Sequence, residues 1–278
     1  MNITEKIKSN LSKMTKSEYA VAAYFLENSG SFAFETLEKI AEKINTSTTS
    51  VLRFCRKNGF DGYKDFQEEV RNSLRYQFTL PDKLKLSSNS SSDGAELSRW
   101  AKNAVECIDK SFKDIPPQRI AIAADHIISA KRVFCFGRKE SFALAHYAYT
   151  RFLTIRDNVS ILSAGLGGEI ESLLSLGEGD VCIFYLFHRY TRQSPQILKQ
   201  IKKQGVFVIL ITNPPLDEVN EYANILFPCR VDIGGIKNSC AAPVCITDCI
   251  CNAAVSKSGS ETMEYMKKSE ELFESFIF

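Results

Sequence analysis

Residues 36–58 read TLEKIAEKINTSTTSVLRFCRKN and carry the most informative local pattern in the sequence. Their apolar residues first recur at helical spacing as far as Ile44. Asn45 follows, and asparagine tolerates the left-handed backbone of a tight turn. Ser47 is then suited to cap a second helix. Two helices joined by so short a turn predict a helix-turn-helix unit.

The second predicted helix carries side chains suited to nucleic acid. In a helix-turn-helix the second helix enters the major groove, where first-turn residues reach base edges or phosphates. Residues 47–58 hold three cations and no anion, a local patch that the net charge of +2 for the whole chain hides. The alternative is that the hydroxyls only cap the helix and the cations form a solvated face. With double-stranded DNA as the expected partner, the candidate contact residues are Ser47, Thr48, Thr49, Ser50, Arg53, Arg56 and Lys57.

Length and composition limit the class of protein. The 278 residues suggest about two domains, and 44% hydrophobic and 24% charged residues are ordinary for a globular protein. Wholesale disorder and a coiled-coil rod are excluded. The sequence has no apolar run of about 18 residues and no signal-peptide pattern. We therefore expect no membrane association, a cytoplasmic location, and reduced thiols for the nine cysteines.

The composition predicts two domains joined by a linker. Short amphipathic helices fill residues 1–77 and must pack on one another to be stable. The Ser-rich run SSNSSSD places a linker at 78–94. Residues 95–278 begin with two helices and continue with buried strands that alternate with helices, which predicts a three-layer α/β sandwich with a five-stranded parallel sheet. The strand candidates are 132–136, 159–162, 181–187, 206–211 and 225–227.

Residues 50–67, SVLRFCRKNGFDGYKDFQ, resemble the N-terminal domain of RpiR-type bacterial transcriptional regulators, in which V-x-R-F-[CA]-[RK]-x-L-G-[FY]-x-G-[FY]-x-[ED]-[FL] is typical. Asn58 departs from that pattern, since the family usually has Leu there. The resemblance implies a DNA-binding regulator of carbohydrate metabolism with a C-terminal SIS (sugar isomerase) domain that binds phosphosugars. The matching residues are Val51, Arg53, Phe54, Cys55, Arg56, Gly59, Phe60, Gly62, Tyr63, Asp65 and Phe66.

The loops after the predicted strands are the candidate ligand site, because parallel sheets bind ligands at the carboxyl ends of their strands. Where the resemblance implies Gly-x-Gly-x-Ser, residues 137–141 read GRKES; where it implies Ser-x-Ser-Gly-x-Thr, residues 186–191 read LFHRYT. The loop at 211–213, ITN, keeps the family pattern, and 164–169, AGLGGE, is not a dinucleotide fingerprint. The candidate ligand-binding residues are Gly137, Arg138, Lys139, Ser141, His188, Arg189 and Thr191.

These departures leave alternatives open. The family pattern implies loops whose hydroxyl groups bind phosphate, whereas the loops of this sequence are basic and aromatic. Either the site binds an altered anion or phosphosugar, or it has lost its ligand and the domain only dimerises. A phosphosugar isomerase-like enzyme would need a base, for which Glu140, Glu169 or His188 are available. We expect no catalytic residues and no cofactor. We also expect no metal site, because the cysteines at 240–251 lack a C-x-x-C pair. One such helix reads only a few base pairs, so a homodimer or dimer of dimers is expected.

Overall fold

The computed structural model describes residues 3–74, 78–87, 95–162, 168–213 and 217–277. The chain divides into two compact units, residues 1–83 and 84–278. The division falls inside the predicted linker at 78–94, and Leu80–Ser87 form a helix there. The Ser-rich residues 88–94 lie outside the described part of the chain.

The first unit is helical throughout its described residues, as the sequence predicts. Apolar residues at helical spacing predict a helix over residues 16–28, but the observed helix continues to Phe34 across a kink at Asn28, whose backbone is non-helical (φ −131°, ψ 40°). The elements are α1 (Ile3–Asn10), a 3₁₀ turn (Leu11–Lys13), α2 (Lys16–Phe34), α3 (Leu37–Ile44), α4 (Thr48–Lys57) and α5 (Tyr63–Leu74), followed by α6 (Leu80–Ser87), which spans the division between the units.

A cluster of buried aromatic rings holds these helices together. Phe54 of α4 packs against Phe66 of α5, with ring centroids 5.4 Å apart, and Phe66 also contacts Phe25 and Phe32 of α2. All four side chains are buried. Burying a Phe side chain contributes about 1.5–3 kcal/mol, so this cluster fixes α4 against α2 and α5.

The second unit contains the predicted five-stranded parallel sheet. The strands are β1 (Val133–Gly137), β2 (Val159–Leu162), β3 (Val181–Leu186), β4 (Phe207–Thr212) and β5 (Ile225–Pro228), in the order β2-β1-β3-β4-β5. The helices are α7 (Ala95–Lys113), α8 (Pro117–Ser129), α9 (Glu140–Leu153), α10 (Gly168–Leu173), α11 (Gln193–Lys203), α12 (Asp217–Asn220), α13 (Ala241–Lys257) and α14 (Ser260–Ile277).

Two hydrophobic cores, one on each face of the sheet, make the unit a three-layer sandwich. Alternate residues of β3 point to opposite faces, so Tyr185 packs with α8, α9 and α13, whereas Phe184 packs with α11. The hydroxyl of Tyr185 is buried and lies 2.7 Å from the hydroxyl of Thr247 on α13. Burial on both faces explains why the central strands β1, β3 and β4 are continuous apolar runs.

Between the parallel strands β1 and β3, the direction in which the chain adds successive strands to the sheet reverses. The chain leaves β1 through α9 toward β2 on one side, and leaves β3 through α11 toward β4 on the other. Helix α9 packs on one face of the sheet and α11 on the opposite face. The two connections therefore diverge at the carboxyl ends of β1 and β3, which is the position where open parallel sheets form their ligand-binding crevice.

The C-terminal helix α14 is attached by its first half. The Tyr265 hydroxyl donates a hydrogen bond to the Leu153 carbonyl (3.0 Å), and Met266 packs against the core. Leu272, Phe273 and Phe276 are exposed, Phe276 to 82%. None of the helices within the described ranges is both long enough and apolar enough to cross a membrane.

Candidate functional site

The turn between α3 and α4 has the geometry that the sequence predicts. Asn45 takes the left-handed conformation (φ 53°, ψ 51°), and the Thr46 amide donates a hydrogen bond to the Ala41 carbonyl (2.9 Å). The Ser47 side chain accepts a hydrogen bond from the Ser50 amide (3.2 Å), so Ser47 caps α4. The two helices therefore form a helix-turn-helix with α4 as its second helix.

Helix α4 has one buried face and one exposed face. Val51, Phe54 and Cys55 are buried, and burial raises the pKa of the Cys55 thiol to about 12. Arg53 and Arg56 are exposed and form no ion pair with any residue that the structure describes. Of the remaining predicted DNA contacts, Ser47 and Thr49 are exposed, and Thr48 and Ser50 are half-buried.

Lys57, also a predicted DNA contact, is engaged within the protein. Its ammonium lies 2.7 Å from the carboxylate of Glu18, whose side chain is only 8% exposed. The same carboxylate accepts a hydrogen bond from the Thr15 amide (2.8 Å) at the start of α2. The hydrogen bond from Lys57 and then that from Thr15 hold the pKa of Glu18 below its usual value. Lys57 thus ties the end of α4 to the beginning of α2.

Asn58, the departure from the family pattern, is fully buried and satisfied. Its side-chain amide donates to the Phe54 carbonyl (2.8 Å), and its side-chain oxygen accepts from the Asn10 amide group (3.1 Å). Gly59 follows with φ 77°, which lets the Phe60 amide reach the Cys55 carbonyl (3.1 Å). The partner at Asn10 is distant in sequence, and no local pattern indicates it.

The predicted ligand loops meet at the carboxyl edge of the sheet. Gly137 at the end of β1 pairs with Tyr185 of β3, and Leu186 at the end of β3 pairs with Thr212 of β4. The Thr212 hydroxyl donates to the Leu186 carbonyl, and the Asn213 side-chain oxygen accepts from the His188 amide (3.0 Å). The 211–213 loop therefore supports the loop after β3. Residues 164–167 of the AGLGGE loop lie outside the described residues.

Two of the predicted residues shape the backbone at this edge. A Cβ atom on Gly137 would lie 2.1 Å from the Ser141 carbonyl oxygen, so only glycine fits beside the first turn of α9. Ser141 is buried, and its amide donates to the Arg138 carbonyl (3.1 Å). Arg138 itself is half-buried. The glycine and serine kept from the family pattern thus set the approach of α9 to β1.

The other candidates place charge at the crevice. Lys139 and Arg189 are exposed and have positive φ (53° and 72°). The rings of His188 and Tyr190 stack, with centroids 6.1 Å apart, and the Thr191 hydroxyl lies 3.0 Å from that of Ser194. The structure therefore brings the loops of residues 137–141 and 188–191 together on neighbouring strands.

Glu140 has a partner that sequence reasoning missed. Its carboxylate forms an ion pair with the ammonium of Lys237, although the two residues are 97 positions apart. Both side chains are more than half exposed, so the pair contributes little stability. Its effect is electrostatic, because Lys237 offsets the one acidic charge of the 137–141 loop.

Cysteine chemistry does not add a site in the part of the chain that the structure covers. All nine cysteines are described and are free thiols. Within the described residues, no three His, Cys, Asp or Glu side chains come together as metal ligands. Burial raises the pKa of the Cys249 and Cys251 thiols of α13.

A helix-turn-helix unit followed by an α/β domain with its crevice at a topological switch point defines a class of transcriptional regulators. The chain belongs to the RpiR family of that class. Residues 1–77 match the family model for the helix-turn-helix domain of the rpiR family, and residues 126–254 match the model for the SIS domain.

Individual relatives agree with this assignment. The chain is 24% identical to the HTH-type transcriptional regulator HexR of Escherichia coli (strain K12), covering 100% of this chain and 96% of HexR. It resembles the structure of Vibrio vulnificus NanR complexed with ManNAc-6P (TM-score 0.61, 19% identity, 99% of each chain). It also resembles the sugar isomerase domain of an RpiR transcription factor from Sphaerobacter thermophilus (TM-score 0.57, 16% identity, 61% of this chain and 95% of that one). At these identities the structural likeness concerns the fold.

Proposed function

We propose that this RpiR-type regulator controls genes of carbohydrate metabolism and that its SIS domain binds a phosphosugar or a related anion. The observation that carries the proposal is the meeting of three loops at the carboxyl edge of the sheet, with Lys139 and Arg189 exposed there. Ligands of open parallel sheets bind at this edge. The complex of NanR with ManNAc-6P supports a phosphosugar in a domain of the same fold.

The proposed DNA contacts are those of the exposed face of α4. Arg53 and Arg56 supply the free cations, and the hydroxyls of residues 47–50 lie in the first turn, where a second helix meets base edges or phosphates. We assign Lys57 to positioning of α4, because its ammonium is bound to Glu18.

The proposed active species is a homodimer, or a dimer of dimers, on a two-fold symmetric operator. A single helix-turn-helix contacts one short half-site, so two copies are needed for a specific operator. Since the operator lies on the chromosome, we place the protein in the cytoplasm. Light scattering of the purified protein, alone and with operator DNA, tests the stoichiometry, and a monomer in both samples contradicts it.

We propose a sensing rather than a catalytic role for the crevice. Of the three candidate bases, Glu140 is ion-paired with Lys237 and the His188 ring stacks on Tyr190, whereas the side chain of Glu169 lies outside the described part of the structure. We therefore expect no isomerisation of any sugar phosphate that binds, as checked by product analysis after prolonged incubation.

Calorimetry with a panel of phosphosugars, their unphosphorylated counterparts and inorganic phosphate tests the ligand proposal. The expected result is heat of binding with one or more phosphorylated compounds and none with the neutral sugars. Selection of bound DNA from a random pool then supplies the operator, and the active compounds are added to a gel-shift assay. Absence of binding by every phosphorylated compound contradicts the proposed sensor.

A further inference from the structure

The two exposed cations at the crevice have backbone conformations that suit glycine. Lys139 has φ 53° and ψ −122°, close to the first central position of a type II′ turn, where glycine is preferred. Arg189 has φ 72°. Among the described residues, the other non-glycine positions with positive φ are Asn45 and Asn158, and asparagine adopts this region more readily than lysine or arginine.

These two strained positions are neighbours in the fold although they are 50 positions apart in the sequence. Lys139 follows β1 and Arg189 follows β3, and the register pairs Gly137 with Tyr185 at the ends of those strands. Both therefore lie beside the crevice at the switch point. Such conformations lower the stability of the native state, and an observed pair at one place points to a functional reason.

The charges of Lys139 and Arg189 are not offset within the described structure. Neither side chain forms a hydrogen bond or an ion pair with any described residue. The adjacent acid, Glu140, is engaged by Lys237 from the segment after β5. Among the described residues, therefore, no anion pairs with either cation, and both stand where the family pattern has glycine.

We propose that Lys139 and Arg189 are the specificity-determining residues of this site, and that together they hold a phosphoryl dianion by charge at a cost in native-state stability. This inference rests on the proposed ligand-binding function. Because the second ionisation of a phosphate monoester has a pKa of about 6, affinity falls as the pH drops below about 6. Affinity also falls with ionic strength, since exposed charges are screened.

The experiment compares the wild type with three glycine variants in the full chain. Lys139→Gly and Arg189→Gly remove strain and charge together. Asn158→Gly is the matched control, because Asn158 also has positive φ (54°) but lies just before β2, at the opposite edge of the sheet. A fourth variant, Lys139→Met, keeps a long side chain at the strained position and removes only the charge.

The readouts are melting temperature without ligand and affinity for inorganic phosphate and for the phosphosugar panel. We expect Lys139→Gly and Arg189→Gly to raise the melting temperature of the unliganded protein by about 2–6 °C. Each should weaken binding of the phosphorylated probes by about 10-fold or more, the loss of one charge-assisted hydrogen bond. Lys139→Met should weaken binding equally without raising the melting temperature, and Asn158→Gly should leave affinity unchanged.

The outcomes separate this inference from the proposed function. If the wild type binds a phosphorylated probe and the glycine variants bind it as tightly, the inference is wrong and the sensor proposal stands. If the wild type binds none of the probes, both are wrong. If the glycine variants bind weakly but melt at or below the wild-type temperature, the two positions carry no strain, and that part of the inference is overturned.

Discussion

Replacing Lys57 by Met separates the positioning of α4 from direct contact with DNA. The substitution removes the ammonium group that lies 2.7 Å from the Glu18 carboxylate. The Glu18 side chain, which is 8% exposed, then keeps the hydrogen bond that it accepts from the Thr15 amide. Breaking a fully buried ion pair costs about 3–5 kcal/mol. Since the Lys57 side chain is 31% exposed and Thr15 still donates, we expect a loss of about 1–3 kcal/mol in unfolding free energy.

The DNA-binding readout distinguishes Lys57 from its neighbours on the same helix. Each phosphate contact adds about 0.9 to the slope of log affinity against log salt concentration. Arg53→Ala and Arg56→Ala remove cations that have no described ion-pair partner, so each should reduce the slope by about one if it contacts a phosphate. Lys57→Met should leave the slope unchanged, because Glu18 already offsets that charge.

Fluorescence anisotropy of a labelled operator at several salt concentrations measures the slope, and urea unfolding measures the stability. Affinities are compared at a temperature where every variant is folded. If Lys57→Met lowers the slope as much as Arg53→Ala, Lys57 contacts DNA and its assignment to positioning is refuted. If Lys57→Met also unfolds at the wild-type urea concentration, the ion pair with Glu18 does not stabilise the unit.

Three further predictions follow from buried contacts. Asn10→Ala should destabilise the first unit by about 1–3 kcal/mol, because it removes the described donor to the buried Asn58 oxygen; adding Asn58→Leu should restore much of the loss in urea unfolding. Gly137→Ala should lower the melting temperature of the second unit and weaken ligand binding, since its Cβ would meet the Ser141 carbonyl; calorimetry checks both. The pKa of Glu18 is lowered in the folded state, so its stabilising contribution is present above the unfolded pKa of about 4.3 and is lost as the pH falls through the lower folded value. Urea midpoints measured between pH 6 and pH 3 should show this decline. Glu18→Gln should make the decline smaller.

Local patterns predicted the secondary structure well. All five strands lie within one residue of the runs that predicted them. The signal is strongest for β1, β3 and β4, because strands buried on both faces need continuous apolar sequence. The cap at Ser47 and the left-handed Asn45 also follow from residue type alone. The sequence pattern does not predict that α2 continues past Asn28. The residues beyond the kink are stabilised by the packing of Phe32 against Phe25, and they do not continue the apolar spacing of the first part of the helix.

Side-chain contacts between residues far apart in the sequence could not be predicted from local patterns. Lys57 pairs with Glu18 across 39 positions, and Asn10 with Asn58 across 48. Charge and polarity at a position show that a side chain can form such a bond, but tertiary packing decides which partner it meets. The DNA-contact and ligand-contact residues stay predictions, which the salt-dependence and calorimetry measurements test.

The divergence of α9 and α11 from neighbouring strands has a mechanical consequence. The loop at 137–139 leads into a helix on one face of the sheet, and the loop at 187–192 leads into a helix on the other. A small anion bound by both loops would link α9 to α11, although the sheet separates the two cores in which these helices pack. Binding at one edge of the sheet would then change the positions of helices on both faces of the domain.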